Sequence, residues 1–374
     1  MRLVSQRAAD ALQKSHRRIT VATVTVPYGD PVPISFEPGG TVTASKDRGA
    51  RYQANVTLSP QPGVNLFELV KTPGAYFDIQ HGIDYRGGEV ELWPLFRGQV
   101  SASATVNVFG GEIPLSLVDD WQRIERSDFL VPTGFTTGYR PILMSNILAG
   151  AVPEAQWENR ATGGNGPLIV GSTGMWDRKR TEAIEQLATD GTYDVAFDAA
   201  GLFVVQDEKI LNPSAPVWTY RSGPVGNIVS AARTRPLDRL YNTVVVVPAD
   251  ESQTWVRQVA QITDPAHPRF PGNPGVGVNT FFWSSPTIAT TQEAYTAANT
   301  ILQRVLGTTE TLQITALGNP AQEVGDTVTV VHEATSTDPG FAEAHIVDGI
   351  TWKLDTGDME LQTRSSTAAE VESV

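Results

Sequence analysis

The stretch TTQEAYTAANTILQRVLGTTETLQITALGNPAQEVGDTVTVVH, residues 290–332, holds the strongest local signals in the chain. Thr290 and Glu293 are spaced as a capping box, in which each side chain accepts a hydrogen bond from a backbone N–H of the first helical turn. The apolar residues that follow recur at helical spacing: Ala294, Ala297, Ala298, Ile301, Leu302, Val305 and Leu306. Gly307 ends the pattern, so the sequence predicts one amphipathic helix.

The second half of this stretch has the two-residue period of a β-strand. The positions predicted to face inward are Leu312, Ile314 and Ala316. Asn319-Pro320 ends the strand, and Val324–Thr327 predicts a hairpin turn with Gly325 at its first central position. Asp326, three residues after Glu323, is expected to bind the free N–H groups of the turn. These turn residues are predicted to have a structural role.

The composition indicates a globular chain rich in turns. Its 374 residues predict two or three domains, and 33 Gly and 25 Pro favour many short strands. The sequence has no apolar run long enough to predict a membrane-spanning segment, and we expect no signal peptide at the N-terminus. Cysteine is absent, which excludes disulfides, thiolate catalysis and cysteine-ligated zinc. The net charge of −13, without a basic cluster, argues against tight nucleic-acid binding.

The pattern along the chain predicts a mainly β protein with an α+β insertion. We expect a short helix and a β domain at 1–130, a small α+β domain at 131–232, a second β domain with one helix at 233–362, and a disordered tail at 363–374. Each β domain is expected to be a tube-like barrel or strongly curved sheet. The short helix either packs on its own domain or acts as an arm that binds a neighbouring subunit.

Two further groups of residues are candidates for a scaffold or an interface. Tyr241-Asn242 precedes an apolar strand, where side-chain to backbone hydrogen bonds can fix the start of the strand. Phe281, Phe282 and Trp283 end a segment rich in Pro and Gly that we predict to be a loop. Aromatic side chains in a loop indicate either an interaction surface or packing into the core of their own domain.

The sequence contains no recognisable catalytic, cofactor or metal-binding motif. The five histidines, His16, His81, His267, His332 and His345, lack the spacing of metal ligands and are expected to be satisfied polar residues. The paired acidic residues Asp119-Asp120 and Glu154/Glu158 are compatible with a second hypothesis, a glycosidase, since glycosidases need only two carboxylates. Trp157 could stack on a sugar ring, although a single Trp more often fills a core. We therefore expect a protein that is not an enzyme.

The order of several motifs resembles the tail hub, or minor tail, proteins of long-tailed bacteriophages. They are a helix ending in LxxxLG, a TLxI strand, the turn NP…EVGDxVxV, the strand LYNTVVVV at 240–247, and the opening ALQKSHRRITVATV at 11–24. The last of these looks like one family found in phages and prophages of high-GC Gram-positive hosts. The resemblance covers most of the chain.

The resemblance implies a structural virion protein at the distal end of the tail, assembled in the host cytoplasm. Two tube-like domains per subunit would lie side by side, so that three subunits form a pseudo-sixfold ring. This homotrimeric ring would connect a distal tail protein or tube ring to receptor-binding or fibre proteins, and the tape measure protein and DNA would pass through it. The alternatives are a tail-associated cell-wall glycan hydrolase and a carbohydrate-binding module.

Overall fold

The fold was analysed in a computed structural model. The structure describes residues 1–2, 4–14, 16–46, 49–85, 88–101, 111–134, 137–162, 168–170, 175–209, 211–224, 226–234, 241–248, 256–285, 288, 290–306, 310–333 and 340–365. The predicted helix end at Gly307 and residues 366–374 of the predicted disordered tail lie outside these ranges. The first three residues of that predicted tail, 363–365, belong to the last strand.

The described residues form six helices and 23 strands. The helices are α1 (Gln6–Leu12), α2 (Leu66–Lys71), α3 (Trp121–Arg126), α4 (Arg140–Ala151), α5 (Arg180–Gly191) and α6 (Thr291–Leu306). The first strands are β1 (Arg18–Thr25), β2 (Val32–Ile34), β3 (Thr41–Ser45), β4 (Tyr52–Leu58), β5 (Tyr76–Asp84), β6 (Val90–Val100) and β7 (Ile113–Val118). The middle of the chain adds β8 (Thr133–Gly134), β9 (Thr137–Tyr139), β10 (Trp157–Asn159), β11 (Leu168–Val170), β12 (Met175–Trp176), β13 (Tyr193–Phe197) and β14 (Phe203–Asp207). The last strands are β15 (Trp218–Arg221), β16 (Ile228–Thr234), β17 (Thr243–Pro248), β18 (Gln258–Gln261), β19 (Thr280–Ser285), β20 (Glu310–Leu317), β21 (Thr327–His332), β22 (Phe341–Lys353) and β23 (Asp358–Ser365).

Thirteen of these strands form one large sheet, so the predicted mainly β architecture is confirmed. The order is β16-β20-β23-β22-β3-β4-β7-β6-β5-β1-β2, with β21 also paired to β22 and β15 paired to β21. The first and last parts of the chain meet where β22 pairs antiparallel with β3, with Trp352 opposite Val42. No ladder closes into a barrel in the described ranges, so the two predicted barrels are not confirmed.

Alternating apolar residues explain why these segments are strands. Leu312, Ile314 and Ala316 of β20 are all buried, as their two-residue spacing predicts. The main core lies under the large sheet and includes Ala8 and Leu12 of α1. The N-terminal helix therefore packs on its own chain, which was the first of the two alternatives.

The middle of the chain has a core of its own, as expected for a small α+β unit. α4 and α5 pack together with α3 and with the hairpin β13–β14. The hairpin turns at Asp198–Gly201, where Gly201 N donates to Asp198 O at 2.9 Å and Gly201 has a φ of 83°. Two strands that begin before the predicted boundary at residue 232 pair with the large sheet, β15 with β21 and β16 with β20.

A third core lies between α6 and a three-stranded sheet in the order β18-β17-β19. α6 begins as the capping box predicts, since Thr290 Oγ1 accepts from Glu293 N at 3.2 Å and Glu293 Oε2 accepts from Thr290 N at 3.1 Å. The predicted apolar stripe of α6 faces this sheet. β17 is the central strand of this sheet, and its run of Val residues makes it apolar on both faces.

Candidate subunit interface

The structure gives the paired carboxylates structural partners. Asp119 is buried and accepts hydrogen bonds from Tyr52 N at 2.8 Å and Trp121 N at 3.1 Å. Burial raises the pKa of Asp119 to about 7, while these two donors act in the opposite direction. Asp120 accepts from the hydroxyl of Tyr76 at 3.0 Å. Asp119 therefore fixes the end of β7 against β4, and both carboxyl groups accept hydrogen bonds from within the chain.

The other candidate carboxylates form ion pairs at the surface. Glu154 is bound by Arg123, and Glu158 lies 2.7 Å from Arg160. Trp157 lies in β10, next to β14, with its side chain partly exposed. Glu154 and Glu158 therefore pair with two different arginines.

No group of three or more His, Cys, Asp or Glu side chains that could hold a metal ion occurs within the described ranges. Each histidine in those ranges has a polar neighbour. For example, His81 Nδ1 lies 2.8 Å from Thr20 Oγ1, and His345 Nδ1 lies 3.0 Å from Thr363 Oγ1. In the same ranges, no helix is both long and apolar enough to cross a membrane.

The turn at Glu323–Asp326 contains the predicted hydrogen bond to Asp326, but its type and the strands beside it differ from the prediction. Asp326 N donates to Glu323 O at 3.3 Å, and Gly325 has a φ of 84°. Gly325 is therefore the second central residue, and the predicted first central position is wrong. The predicted hairpin is also wrong, because β20 pairs with β23 and β16 while β21 pairs with β22 and β15. The turn connects two strands that are not neighbours.

Asp326 is the centre of a buried polar network. Its Oδ2 accepts from Glu323 N at 2.8 Å and from Gln322 Nε2 at 2.7 Å, and Lys209 Nζ lies 3.6 Å from its Oδ1. Gln322 in turn accepts from the hydroxyl of Tyr220 at 3.1 Å. This network orders the turn inside the subunit, which leaves little of Asp326 for a partner protein.

Asn242 forms the side-chain to backbone hydrogen bonds expected before β17. It is fully buried, and its Nδ2 donates to Gly277 O at 2.7 Å and to Arg269 O at 3.1 Å. Its Oδ1 accepts from Asn279 N at 2.9 Å. A single side chain thus fixes the loop before β19 to the start of β17. Tyr241 packs edge-on against Phe281, with ring centroids 5.4 Å apart.

The three consecutive aromatic residues lie in a strand, so the predicted loop is wrong at this point. Phe281, Phe282 and Trp283 belong to β19, which pairs parallel with β17. Because side chains alternate along a strand, Phe281 and Trp283 point to α6 and pack on its core, whereas Phe282 points away. Of the two alternatives that the sequence left open, core packing holds for Phe281 and Trp283, whereas Phe282 is exposed.

Sequence analysis missed the contacts that join the middle of the chain to its neighbours. Arg51, directly before β4, donates from Nη1 to Asp194 Oδ2 of β13 at 3.1 Å, and Lys46 Nζ lies 3.1 Å from Glu208 Oε1. Burial alone would raise the pKa of Asp194, but the Arg51 guanidinium outweighs it and holds that pKa well below its usual range. No local spacing could reveal pairs more than 140 residues apart.

Comparison with solved structures identifies the fold. No protein-family model matches the sequence, and neither does any curated protein. A tail protein from Neisseria meningitidis MC58 is similar with a TM-score of 0.64 and 14% identity, over 92% of this chain and 96% of that chain. The 43 kDa tail protein of prophage MuSo2 from Shewanella oneidensis has a TM-score of 0.57 and 11% identity, over 92% of this chain and 98% of that chain. The prophage tail protein gp18 from Listeria monocytogenes EGD-e has a TM-score of 0.55 and 9% identity, over 93% of this chain and 95% of that chain. The chain therefore has the fold of bacteriophage tail proteins.

Proposed function

We propose that this chain is a structural protein of a phage tail and forms the hub at the distal end of the tail tube as a homotrimeric ring. One observation carries the proposal: the similarity to three tail proteins extends over at least 92% of this chain and at least 95% of each of theirs. A likeness of whole chains favours a shared architectural role more than a likeness of one domain would.

In this role the ring binds a distal tail protein or tube ring on one side and receptor-binding or fibre proteins on the other. The tape measure protein and DNA pass through its centre. The net charge of −13 suits such a channel, because acidic walls do not retain phosphates. The stabilising energy comes from buried subunit interfaces and requires no chemical turnover.

In the described ranges the large sheet has three edge strands, β2, β15 and β16, and a difference between β2 and β16 supports assembly through β16. β2, at one end, contains Pro33, which has no N–H to donate to another strand. β16, at the other end, contains no proline, and six of its seven residues are exposed. An open strand of this kind can pair with a strand of another subunit. We therefore place one subunit contact at β16.

Imaging of the purified chain by negative-stain electron microscopy tests this proposal. The hub predicts ring-shaped particles with threefold symmetry and a central opening. Compact particles without an opening, at concentrations where the protein is fully folded, would contradict it. Release of sugar fragments from purified peptidoglycan, abolished by substitution of an Asp or Glu, would favour the hydrolase alternative instead.

A further inference from the structure

The sheet β18-β17-β19 has one face that α6 does not cover. Val245 of the central strand lies directly opposite Val259 of β18 and directly opposite Phe282 of β19. Since their neighbours Val244 and Val246 pack against α6, these three side chains point to the other side. We call this row, Val259, Val245 and Phe282, the Phe282 face.

The outer members of the row are open to solvent. The side chain of Phe282 is 63% exposed and that of Val259 is 53% exposed, whereas Val245 between them is 4% exposed. The neighbouring row consists of Gln261, Thr243 and Thr280. An apolar row beside uncharged polar residues matches the core and rim of a protein–protein interface. Cross-strand pairing holds the three apolar side chains in fixed positions before any partner binds.

The charge of this sheet indicates which partner fits. β17, β18 and β19 contain no Asp, Glu, Lys, Arg or His, although the chain as a whole carries a net charge of −13. Copies of such an acidic chain repel each other over most of their surface. They can approach closely where a face is free of charge. A basic partner, in contrast, would be attracted to acidic surfaces elsewhere on the chain.

We propose that the Phe282 face is a contact surface between copies of this chain. This inference rests on the proposed ring and adds the residues that hold the copies together. In a ring with cyclic symmetry the contact is heterologous, so the Phe282 face of one copy packs against a different surface of the next. Phe282 is its main anchor, because aromatic side chains that become buried in an interface carry much of its energy.

Sedimentation velocity of the full chain and three variants tests the proposal. Phe282→Ser and Val259→Ser remove apolar side chains from the face. Tyr295→Ser is the matched control, because Tyr295 is 51% exposed but lies on α6, on the other side of the sheet. We expect the first two substitutions to weaken self-association about tenfold or more and the control to leave it unchanged. Circular dichroism at the same temperature checks that each variant is folded.

The possible outcomes separate this inference from the proposed function. Trimers of the unmodified chain together with monomers of Phe282→Ser support it. If Phe282→Ser remains as trimeric as the unmodified chain, the Phe282 face is not the contact, although the ring is retained. If the unmodified chain is monomeric at every concentration, both proposals fail. A photo-crosslinking residue at position 282 that labels a different protein in assembled tails, and never a second copy, would also overturn the inference.

Discussion

Arg140 Nη2 lies 3.4 Å from Oε1 of Glu293, the same residue that caps α6. Arg140 begins α4 and its side chain is almost completely buried, whereas that of Glu293 is partly exposed. The other oxygen of Glu293 accepts from Thr290. One carboxylate therefore caps the helix of the third core and also pairs with a buried charge of the middle core.

Glu293→Gln should separate these two roles. Gln can still form a capping box, but it removes the negative charge beside Arg140. Loss of a partner from a buried ion pair costs about 3 kcal/mol or more, and the partial exposure of Glu293 reduces this to about 2 kcal/mol. Urea unfolding of the two proteins measures the difference.

Thr290→Ala is the control, because it removes the cap and keeps the charge pair. Loss of the cap alone should cost about 1 kcal/mol. If Glu293→Gln costs less than Thr290→Ala, the pair with Arg140 contributes little to stability, and the structural relationship has no energetic importance.

Gly325→Val should destabilise the turn before β21. Gly325 has a φ of 84°, which a β-branched residue adopts only with strain, and an added Cβ would lie 2.8 Å from Lys209 Cδ. We expect a loss of about 2 kcal/mol in the free energy of unfolding. Gly325→Asn should lose less, since Asn tolerates this conformation better than Val. Equal melting temperatures for the Val variant and the unmodified chain would exclude the proposed backbone requirement.

Asn242→Asp should be costly although the two side chains have almost the same shape. Gly277 O and Arg269 O would lose their donor and face an acceptor instead, at a cost of about 3 kcal/mol. Asn212→Asp is the matched control, because Asn212 Oδ1 accepts from Ser214 N, which an Asp oxygen can also do. The control should change stability by less than about 0.5 kcal/mol. Thermal unfolding at neutral pH compares them, and similar values for both would refute this role of Asn242.

His81 should make stability depend on pH. Burial lowers the pKa of His81 to about 4 from its usual 6.5, and the nearby charges of Arg18 and His16 act in the same direction. Between these values the unfolded chain binds more protons, so the contribution of neutral His81 is complete above pH 6.5 and decreases as the pH falls to 4. His81→Gln should remove a pH-dependent term of about 3 kcal/mol between pH 7 and pH 4. Denaturant unfolding across this range checks it, and parallel pH profiles would contradict the assignment.

Local chemistry was predictable from the sequence. The capping box of Thr290, the buried stripe of α6 and the left-handed position of Gly325 each depend on residues within one or two turns of chain. The side-chain to backbone hydrogen bonds of Asn242 were predictable as well, because its position directly before an apolar strand indicates this role. These features follow from backbone hydrogen bonding and steric limits, which neighbouring residues determine.

Pairing between distant strands was not predictable in the same way. The sequence predicts a loop at β19 because Pro and Gly precede it. The partner strand β17 is distant in sequence, since Thr243 and the residue it pairs with, Thr280, are 37 residues apart. The predicted hairpin at Gly325 failed because β20 and β21 each have other partners that compete for their edges. The pair Arg140–Glu293 is separated by 153 residues and leaves no local pattern.

The most direct test of the proposed ring is the solution mass of the purified chain, measured by light scattering over a range of concentrations. The hub predicts a species near three times the 40.4 kDa of one chain. A mass of one chain at every concentration, from folded protein, would contradict a hub that assembles through its own subunit contacts.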